Sequence, residues 1–294
     1  MKGIILAGGR GSRLYPVTKV VCKQLLPIYD KPLIYYPLSV LMLSDIREIL
    51  VISTPEDQSR FQDLLSDGSQ LGLDITYRVQ SEPKGIADAF RIGASFIGTD
   101  SVALVLGDNI FYGHTLSKVL QDTRKIRAGA LIFGYEVHDP ERYGVIAFDK
   151  DRNITGIIEK PIDPPSRYAV TGLYYYDNRV IDIAKNLRPS ARGELEITDV
   201  NVAYLKLHDL KCHFFERGFA WLDTGTPTAM QQAASYVQTI QERQGIKIGC
   251  VEEIAYQMGF INEDQLLHLA ESNSPSEYGQ YLFNLLRSHT NCLT

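Results

Sequence analysis

The chain has 294 residues and a formal net charge of −5, with 45 % hydrophobic and 22 % charged residues. This length is sufficient for one large domain with extensions or for two small domains, and the composition is ordinary for a globular protein. The acidic balance argues against a broad nucleic-acid-binding surface but leaves room for a local basic pocket.

The N-terminal stretch, the length of the apolar runs and the cysteines bear on where in the cell the protein is expected. Only five apolar or small residues precede the first glycines, and no stretch approaches the roughly 18 apolar residues of a membrane helix. The four cysteines form no CxxC pair and have no histidine at a metal-like spacing: Cys22, Cys212, Cys250 and Cys292. We therefore expect a cytoplasmic protein without a disulfide framework, a zinc site, a membrane anchor or a nucleic-acid partner.

Short apolar runs alternate with segments of helical periodicity over the first 130 residues. The continuous apolar run 102–106 is typical of a strand that is covered on both faces. This βαβ alternation predicts a mostly parallel sheet with right-handed crossovers. The predicted strands are 3–7, 49–53, 75–79 and 102–106, and the predicted helices are 33–44, 56–65 and 87–97.

After residue 130 the strands follow one another without long helices, which predicts an antiparallel extension of the sheet. From residue 228 onward the pattern is helical. The division is therefore a core over 1–227 and a helical segment over 228–294. The predicted strands are 131–135, 144–148, 154–159 and 168–176, and the predicted helices are 179–187, 197–207, 230–244, 251–258, 263–270 and 278–287.

A glycine-rich loop, LAGGRGSRL over residues 6–14, follows the first predicted strand. Glycines at this position let the backbone approach a ligand closely and direct N–H groups at anions. The loop is not a Walker A motif, because no Gly-Lys-Ser/Thr follows, and Leu14 occupies the third position of the dinucleotide fingerprint. By itself the loop is equally consistent with a tight turn that binds nothing.

A wider pattern is more specific. The glycine loop and the KQLLP stretch at 23–27 resemble the signature of the sugar-nucleotide pyrophosphorylases, nucleotidyltransferases that join a nucleoside triphosphate to a sugar 1-phosphate. Further stretches match this family in order along essentially the whole chain: VLGDN 105–109, PERYGV 140–145, EKP 159–161, YAVTGLY 168–174, RGELEITD 192–199, WLDTGT 221–226 and YGQYL 278–282.

The resemblance is strongest to the members that use dTTP and glucose 1-phosphate, at the first step of the dTDP-rhamnose and deoxysugar route to cell-surface polysaccharide. It implies a three-layer, Rossmann-like α/β core with a mixed, mostly parallel sheet and a C-terminal helical segment. Within the core, residues 1–130 would bind the nucleotide and residues 131–227 the sugar phosphate. The helical segment would support assembly into a homotetramer, built as a dimer of dimers.

The resemblance also implies site residues. The expected nucleotide contacts are Leu6, Gly8, Gly9, Gly11, Ser12, Arg13, Gln80, Pro83, Gly85 and Asp108. The expected sugar-phosphate contacts are Gln24, Tyr143, Gly144, Glu159, Lys160, Val170, Thr171, Tyr174 and Arg192. A carboxylate can accept hydrogen bonds from sugar hydroxyls, whereas Lys and Arg are suited to phosphate.

Three cations and two acids would carry the chemistry. Arg13, Lys23 and Lys160 would neutralise the charge that develops as pyrophosphate leaves. Asp108 and Asp223 are far apart in sequence, and the resemblance makes them joint ligands of Mg²⁺, a cation that is commonly held by one or two carboxylates together with phosphate and water. Local sequence alone allows these residues to be surface charges, turns or helix caps.

The predicted base-reading loop departs from the family pattern. The family commonly has QPSPDGLAQAF where this chain has QSEPKGIADAF at 80–90. Lys84 therefore replaces an acid and Asp88 replaces an amide, while Pro83 and Gly85 are kept. The preference for a thymidine over a uridine nucleotide stays open on the sequence alone.

The family further implies a regulatory nucleotide site, at which an end-product sugar nucleotide inhibits. Its framework would comprise Tyr112, Gly113, Arg217, Cys250, Glu253 and Ile254. Ser117, Lys118 and Gln257 stand where other residue types are frequent, so feedback inhibition is an open hypothesis.

Two alternatives remain from the sequence. One is a nucleotidyltransferase that uses UTP or another sugar 1-phosphate. The other is a nucleotide-sensing protein that has lost turnover, although all the acids and cations named above are present. The missing third glycine disfavours an NAD-binding oxidoreductase.

Overall fold

The computed structural model describes residues 1–9, 11–123 and 128–291. The strands are β1 (Lys2–Ala7), β2 (Pro27–Ile28), β3 (Lys31–Pro32), β4 (Glu48–Ser53), β5 (Asp74–Val79), β6 (Val102–Leu106), β7 (Asn109–Tyr112), β8 (Ala130–Glu136), β9 (Gly144–Phe148), β10 (Ile154–Glu159), β11 (Tyr168–Tyr176), β12 (Leu210–Phe214) and β13 (Ala220–Asp223).

The helices are α1 (Tyr35–Leu43), α2 (Gln58–Leu65), α3 (Asp88–Ile92), α4 (Ala94–Ile97), α5 (Leu116–Thr123), α6 (Val180–Asn186), α7 (Ile197–Lys206), α8 (Pro227–Gln244), α9 (Val251–Gln257), α10 (Glu263–Ser272) and α11 (Glu277–Asn291). In the part of the chain that the structure describes, no helix has both the length and the apolar character that a membrane crossing requires.

Nine strands form one sheet in the order β10-β9-β11-β6-β1-β4-β5, with β8 paired to β11 and β12 paired to β8. Strands β6, β1, β4 and β5 are parallel neighbours. Strand β11 runs antiparallel to β6, β8 and β9. The predicted parallel core with an antiparallel extension is confirmed, except that β12 runs parallel to β8.

The sheet is the middle layer of three. Alternate residues of each central strand enter different apolar clusters, because successive side chains of a strand point to opposite faces. In β1, Ile5 belongs to the cluster that includes residues of α1, α2, α9, α10 and α11, whereas Ile4 belongs to the cluster of α3, α6 and α7. The predicted three-layer α/β architecture is therefore confirmed, and the C-terminal helices cover one face of the core.

Strand β11 changes its partner partway along its length. Its second half, Leu173–Tyr176, pairs with β6, whereas in its first half Ala169 pairs with β9. The register of β11 against β8 shifts between Val170 and Tyr174, as a bulge requires. Residues of β6, β9 and β11 around this change of partner line a cavity.

Several elements differ from the sequence prediction. The helix predicted over 87–97 is interrupted at Gly93 and forms α3 and α4. Strands β2, β3, β7, β12 and β13 and helix α5 were not predicted from the sequence. Strands β7 and β13 form a two-stranded ribbon, and Asp223 is the last residue of β13. Four-residue strands are too short to give a clear alternation of polar and apolar residues.

Candidate active site

A cavity of about 330 Å³ opens at the carboxyl ends of β1 and β6. Gly8 and Asp108 follow these two strands and line the cavity, and Val170, Gly172 and Tyr174 of β11 line it as well. Because the carboxyl ends of parallel strands form the usual ligand site of open α/β sheets, this cavity is the candidate active site.

The glycine loop turns sharply at the mouth of this cavity. Gly9 has φ +106° and Gly11 has φ +56°, values that strongly favour glycine. The Thr18 hydroxyl donates to the Gly11 carbonyl at 2.7 Å and holds the turn. A short 3₁₀ turn, Ser12–Leu14, then carries Arg13 to the cavity wall.

The ribbon of β7 and β13 brings the two predicted metal ligands together. Asp223 pairs with Asn109, the residue after Asp108. Thr224 fixes the junction, because its hydroxyl donates to the Asp108 carbonyl at 2.9 Å and its backbone N–H donates to the same oxygen at 3.3 Å. Both carboxylates line the cavity.

Each carboxylate has its own cation. The Lys23 ammonium lies 2.7 Å from Asp108 Oδ2, and its side chain is only 7 % exposed. Burial opposes the ionisation of Asp108, but Lys23 and the Asn109 amide outweigh it and hold its pKa below the ordinary value. Burial and the negative charge of Asp108 raise the pKa of Asp223, against the opposing effect of Lys23, Arg142 and Arg13. The two acids are therefore electrostatically coupled, with Asp108 the more readily ionised.

Asn109 ties the elements around the acids together. Its Oδ1 accepts from the indole N–H of Trp221 at 2.6 Å and from the backbone N–H of Gly172 at 3.1 Å, and its Nδ2 donates to Asp108 Oδ1 at 2.8 Å. An added Cβ on Gly172 would lie 2.4 Å from Asn109 Oδ1, so only glycine permits this approach. One buried amide thus connects β7, β11 and β13.

Most of the predicted sugar-phosphate residues line the same cavity, and the others lie close in the chain to residues that do. Glu159 accepts a hydrogen bond from the Thr198 hydroxyl, and the Lys160 ammonium lies 3.7 Å from Glu159 Oε1. Lys160 is half exposed and lines the cavity. Arg192 Nη2 lies 2.8 Å from Glu196 Oε2 and 3.5 Å from Glu159 Oε1. Arg192 therefore contacts the cavity only through Glu159, which lines it.

Aromatic and amide groups complete the sugar side. The Tyr143 ring packs on Trp221 with centroids 5.1 Å apart, and burial together with Asp223 raises the pKa of Tyr143 to about 12. Among the buried side chains that the structure describes, three atoms have no hydrogen-bond partner: Thr171 Oγ1, Gln24 Oε1 and Asn201 Nδ2. Of these residues, Gln24 and Asn201 line the cavity, as expected of polar groups that wait for a ligand.

The predicted base-reading loop lies beside the glycine loop. Gln80 is 8 % exposed and its Nε2 donates to Asp88 and to the Gly85 carbonyl. Gly85 has φ +100°, and a Cβ there would lie 2.4 Å from the Leu195 carbonyl. The Leu195 N–H donates to the Lys84 carbonyl at 2.7 Å, so this loop is paired with the RGELEITD segment.

The predicted regulatory residues are spread over β7, a loop and α9. The Tyr112 hydroxyl donates to Gln244 at 3.0 Å, and Gly113 packs under Phe219. Cys250 and Ile254 are buried within the subunit, and Glu253 accepts from the Tyr281 hydroxyl at 2.8 Å. Arg217 lies in the loop that precedes β13.

The cavity lining contains about half of the predicted site residues. These are Leu6, Gly8, Arg13, Gln24, Asp108, Tyr143, Gly144, Glu159, Lys160, Val170, Tyr174 and Asp223. Lys23 reaches the site through Asp108. The other predicted residues lie outside the lining: Gly9, Gly11, Ser12, Gln80, Pro83, Gly85, Thr171 and Arg192.

Sequence reasoning gave no role to several residues that line the cavity. The main ones are Asn109, Arg142, Thr198, Asn201 and Trp221. All but Asn201 lie inside the stretches that match the family. The sequence therefore pointed to these stretches, but only the structure shows which of their side chains reach the cavity. Arg142 lies 3.3 Å from Asp223 Oδ2 and is a cation of the site in its own right.

The two aspartates are chemically suited to a hard dication. They share the same cavity, and the charge of Asp108 raises the cost of ionising Asp223, which a bound dication would offset. The described residues contain no group of three or more His, Cys, Asp or Glu side chains with metal-binding geometry. A pair of carboxylates completed by phosphate and water oxygens is typical of Mg²⁺ rather than of an all-protein metal cage.

The fold and this site are those of a nucleotidyltransferase, and comparison with known proteins agrees. A family model described as "Nucleotidyl transferase" matches residues 2–240, and the chain belongs to that family.

Its relatives within the family are named as one enzyme. The glucose-1-phosphate thymidylyltransferase of Neisseria meningitidis serogroup A is 55 % identical over 287 residues, which is 98 % of this chain and 100 % of the relative. That of Xanthomonas campestris is 54 % identical and covers 97 % of each chain. A crystal structure of a protein described as a glucose-1-phosphate thymidylyltransferase from Bacillus anthracis superposes with a TM-score of 0.74 at 44 % identity, over 80 % of this chain and 94 % of that one.

Proposed function

We propose that this protein transfers a thymidylyl group from dTTP to α-D-glucose 1-phosphate and releases pyrophosphate and dTDP-glucose. The observation that carries the proposal is the cavity where β1, β6 and β11 meet. Three groups of residues line it together: the glycine loop with Arg13, the paired acids Asp108 and Asp223, and the Glu159–Lys160 pair. The names of the curated relatives support the choice of nucleotide and sugar.

The chain supplies positioning and charge rather than a nucleophile. An oxygen of the sugar phosphate attacks the α-phosphorus in line, its bond to phosphorus forms as the bond to pyrophosphate breaks, and no proton has to move first. Arg13 and Lys160 would hold the two phosphate groups close together, since fixed cations lower the repulsion between them. Glu159, oriented by Thr198, would accept from sugar hydroxyls, and Gln80 would read the base.

Mg²⁺ would be held by Asp108 and Asp223, and when bound it supplies charge neutralisation on the phosphate oxygens. Lys23 would keep Asp108 ionised, because its ammonium lies 2.7 Å away inside the fold.

The reaction is tested by pyrophosphate release with glucose 1-phosphate and Mg²⁺, comparing dTTP with UTP, CTP, ATP and GTP. Release that prefers dTTP and collapses in the Asp108→Asn variant would support the proposal and its acid pair. Equal or better use of UTP would still indicate a nucleotidyltransferase, but one whose preferred nucleotide is UTP rather than dTTP. Tight dTTP binding without release by any nucleotide would favour a sensor.

Other parts of the proposal concern setting and assembly. We expect a cytoplasmic homotetramer that supplies dTDP-sugar synthesis, with the helices after residue 227 at its contacts. Feedback control through Tyr112, Arg217 and Glu253 is tested by titrating dTDP-rhamnose into the same assay. An unchanged rate at saturating dTDP-rhamnose would rule out this control.

A further inference from the structure

Two buried polar side chains meet where the base-reading loop begins and ends. Gln80 follows β5, Asp88 opens α3, and each is 8 % exposed. Gln80 Nε2 donates to Asp88 Oδ2 at 3.0 Å and to the Gly85 carbonyl at 3.3 Å. Both N–H donors of this amide are therefore used inside the loop.

These partners dictate which end of the amide faces outward. A carboxylate and a backbone carbonyl can only accept hydrogen bonds, so a flipped Gln80 would place its oxygen against two acceptors. In the orientation that satisfies them, Oε1 points toward Gly8, where an added Cβ would lie 3.0 Å from it. Gly8 lines the cavity, and within the described chain no donor is paired with Oε1.

We propose that Asp88 is a positioning residue that locks the Gln80 amide with its acceptor toward the nucleotide, and thereby selects bases that carry a ring N–H. This inference rests on the proposed function and concerns the specificity of the same site. Thymine and uracil present an imide N–H to such an acceptor. Cytosine has a bare ring nitrogen at that position, so two acceptors would face each other.

An amide at position 88 would not lock the pair in this way. Asn can donate or accept, so the Asp88→Asn variant keeps the volume of the side chain but leaves only the longer contact, with the Gly85 carbonyl at 3.3 Å, to oppose a flip of Gln80. We expect the ratio of kcat/KM for dTTP over dCTP to fall roughly tenfold or more, on the scale of one buried hydrogen bond, with most of the change in KM. The dTTP over dUTP ratio should stay constant, because both bases carry the imide.

Two controls separate positioning from folding. Asp88→Glu keeps an acceptor-only group and should retain the preference for dTTP over dCTP. Glu82→Gln changes an acid of the same loop that is 69 % exposed and is paired with Lys84, and it should leave the ratio unchanged. A merely structural Asp88 would weaken dTTP and dCTP equally in Asp88→Asn, and that result would overturn the proposal.

A measurement on the wild-type protein tests the proposal even if the Asp88→Asn variant does not fold. A dTTP analogue methylated at the ring N–H should be rejected by the wild type as strongly as dCTP, whereas its use on a par with dTTP would overturn the proposal. If the wild type releases no pyrophosphate with any nucleotide, the proposed reaction fails. Calorimetric titration of dTTP, dCTP and the methylated analogue then still decides whether Gln80 presents an acceptor.

Discussion

At the scale of one residue, Arg142 influences the ionisation of the neighbouring Asp223. Its guanidinium contacts Asp139 and lies 3.3 Å from Asp223 Oδ2. Burial and Asp108 raise the pKa of Asp223, and Arg142 is one of the cations that limit this rise. Removal of Arg142 should therefore leave Asp223 harder to ionise.

We expect Arg142→Gln to shift the acidic limb of the kcat/KM profile to higher pH. The sign follows from the acid: a higher pKa means that Asp223 becomes protonated, and so unable to act as the proposed Mg²⁺ ligand, at a pH where the wild type is still ionised. The Mg²⁺ concentration for half-maximal rate should rise as well. Arg167→Gln, which removes a half-exposed arginine paired with Glu136, is the matched control. An acidic limb that stays in place would contradict the role of Arg142.

Individual site residues were predictable from the sequence to different degrees. Asp108 could be placed by reasoning from the residues, because it follows an apolar strand and parallel strands end at the ligand side. Asp223 could not, since its closeness to Asp108 depends on a ribbon between segments more than 100 residues apart. Gln80 would pass for an exposed residue on local sequence, yet it is buried by contacts with Asp88 and Gly85.

At the scale of elements, the loop around Gly85 links the predicted nucleotide and sugar-phosphate halves. Its pairing with Leu195 leaves no space for a side chain, and its φ of +100° adds backbone strain to any substitution. We expect Gly85→Ala to displace the loop and to raise the KM for dTTP, with a loss of kcat/KM on the order of 10²-fold for a displacement near 1 Å.

The matched control for this loop is Gly98→Ala. Gly98 also has a positive φ, +59°, but a Cβ there would meet nothing within 4 Å. It should cost about 1–3 kcal/mol of stability through backbone strain and leave the KM for dTTP unchanged. Nucleotide titrations and urea denaturation of both variants separate the two effects, and equal KM values would refute the role of the loop.

A side-chain network around Asn109 supports the ribbon of β7 and β13. Trp221→Phe keeps an aromatic ring against Tyr143 but removes the N–H that bonds to Asn109. Asn109 keeps its bond to Gly172, so we expect a loss of only about 1 kcal/mol in the free energy of unfolding. A loss of 3 kcal/mol or more in urea denaturation would show that the indole N–H has a larger role.

Strands were predicted correctly where the order of apolar and polar residues along the chain is clear. Strands β6, β9, β10 and β11 have the predicted bounds, because each has an apolar or alternating pattern along its whole length. Strands β7 and β13 have four residues each, and their pairing follows from contacts far apart in sequence. The break at Gly93 was also hidden, because an isolated glycine within a helical pattern is often tolerated.

At the scale of the whole molecule, a buried ionic cluster joins the C-terminal helical segment to the core. Asp30, between β2 and β3, contacts both Lys31 and Lys247, and Gln241 of α8 bonds to Asp30 and Lys31. The Lys31 side chain is 2 % exposed and its ammonium lies 5.8 Å from the ring centre of Tyr278 in α11. The carboxylate of Asp30 is therefore the counter-charge for two enclosed cations.

We expect Asp30→Asn to lower the free energy of unfolding by about 3–5 kcal/mol at pH 7, because it leaves buried ammonium groups without their acid. Burial opposes the ionisation of Asp30, but Lys31 and Lys247 hold its pKa below the ordinary value. Since a depressed carboxyl pKa stabilises the fold above the unfolded value and loses this effect as pH falls, the difference between wild type and variant should narrow below about pH 4. Urea denaturation from pH 7 down to about pH 2.5 measures this, because the stabilisation is lost only below the unfolded carboxyl pKa. The exposed Asp63→Asn control should stay within about 0.5 kcal/mol of wild type. A gap that widened toward acid would mean that the cluster is held together by something other than the charge of Asp30.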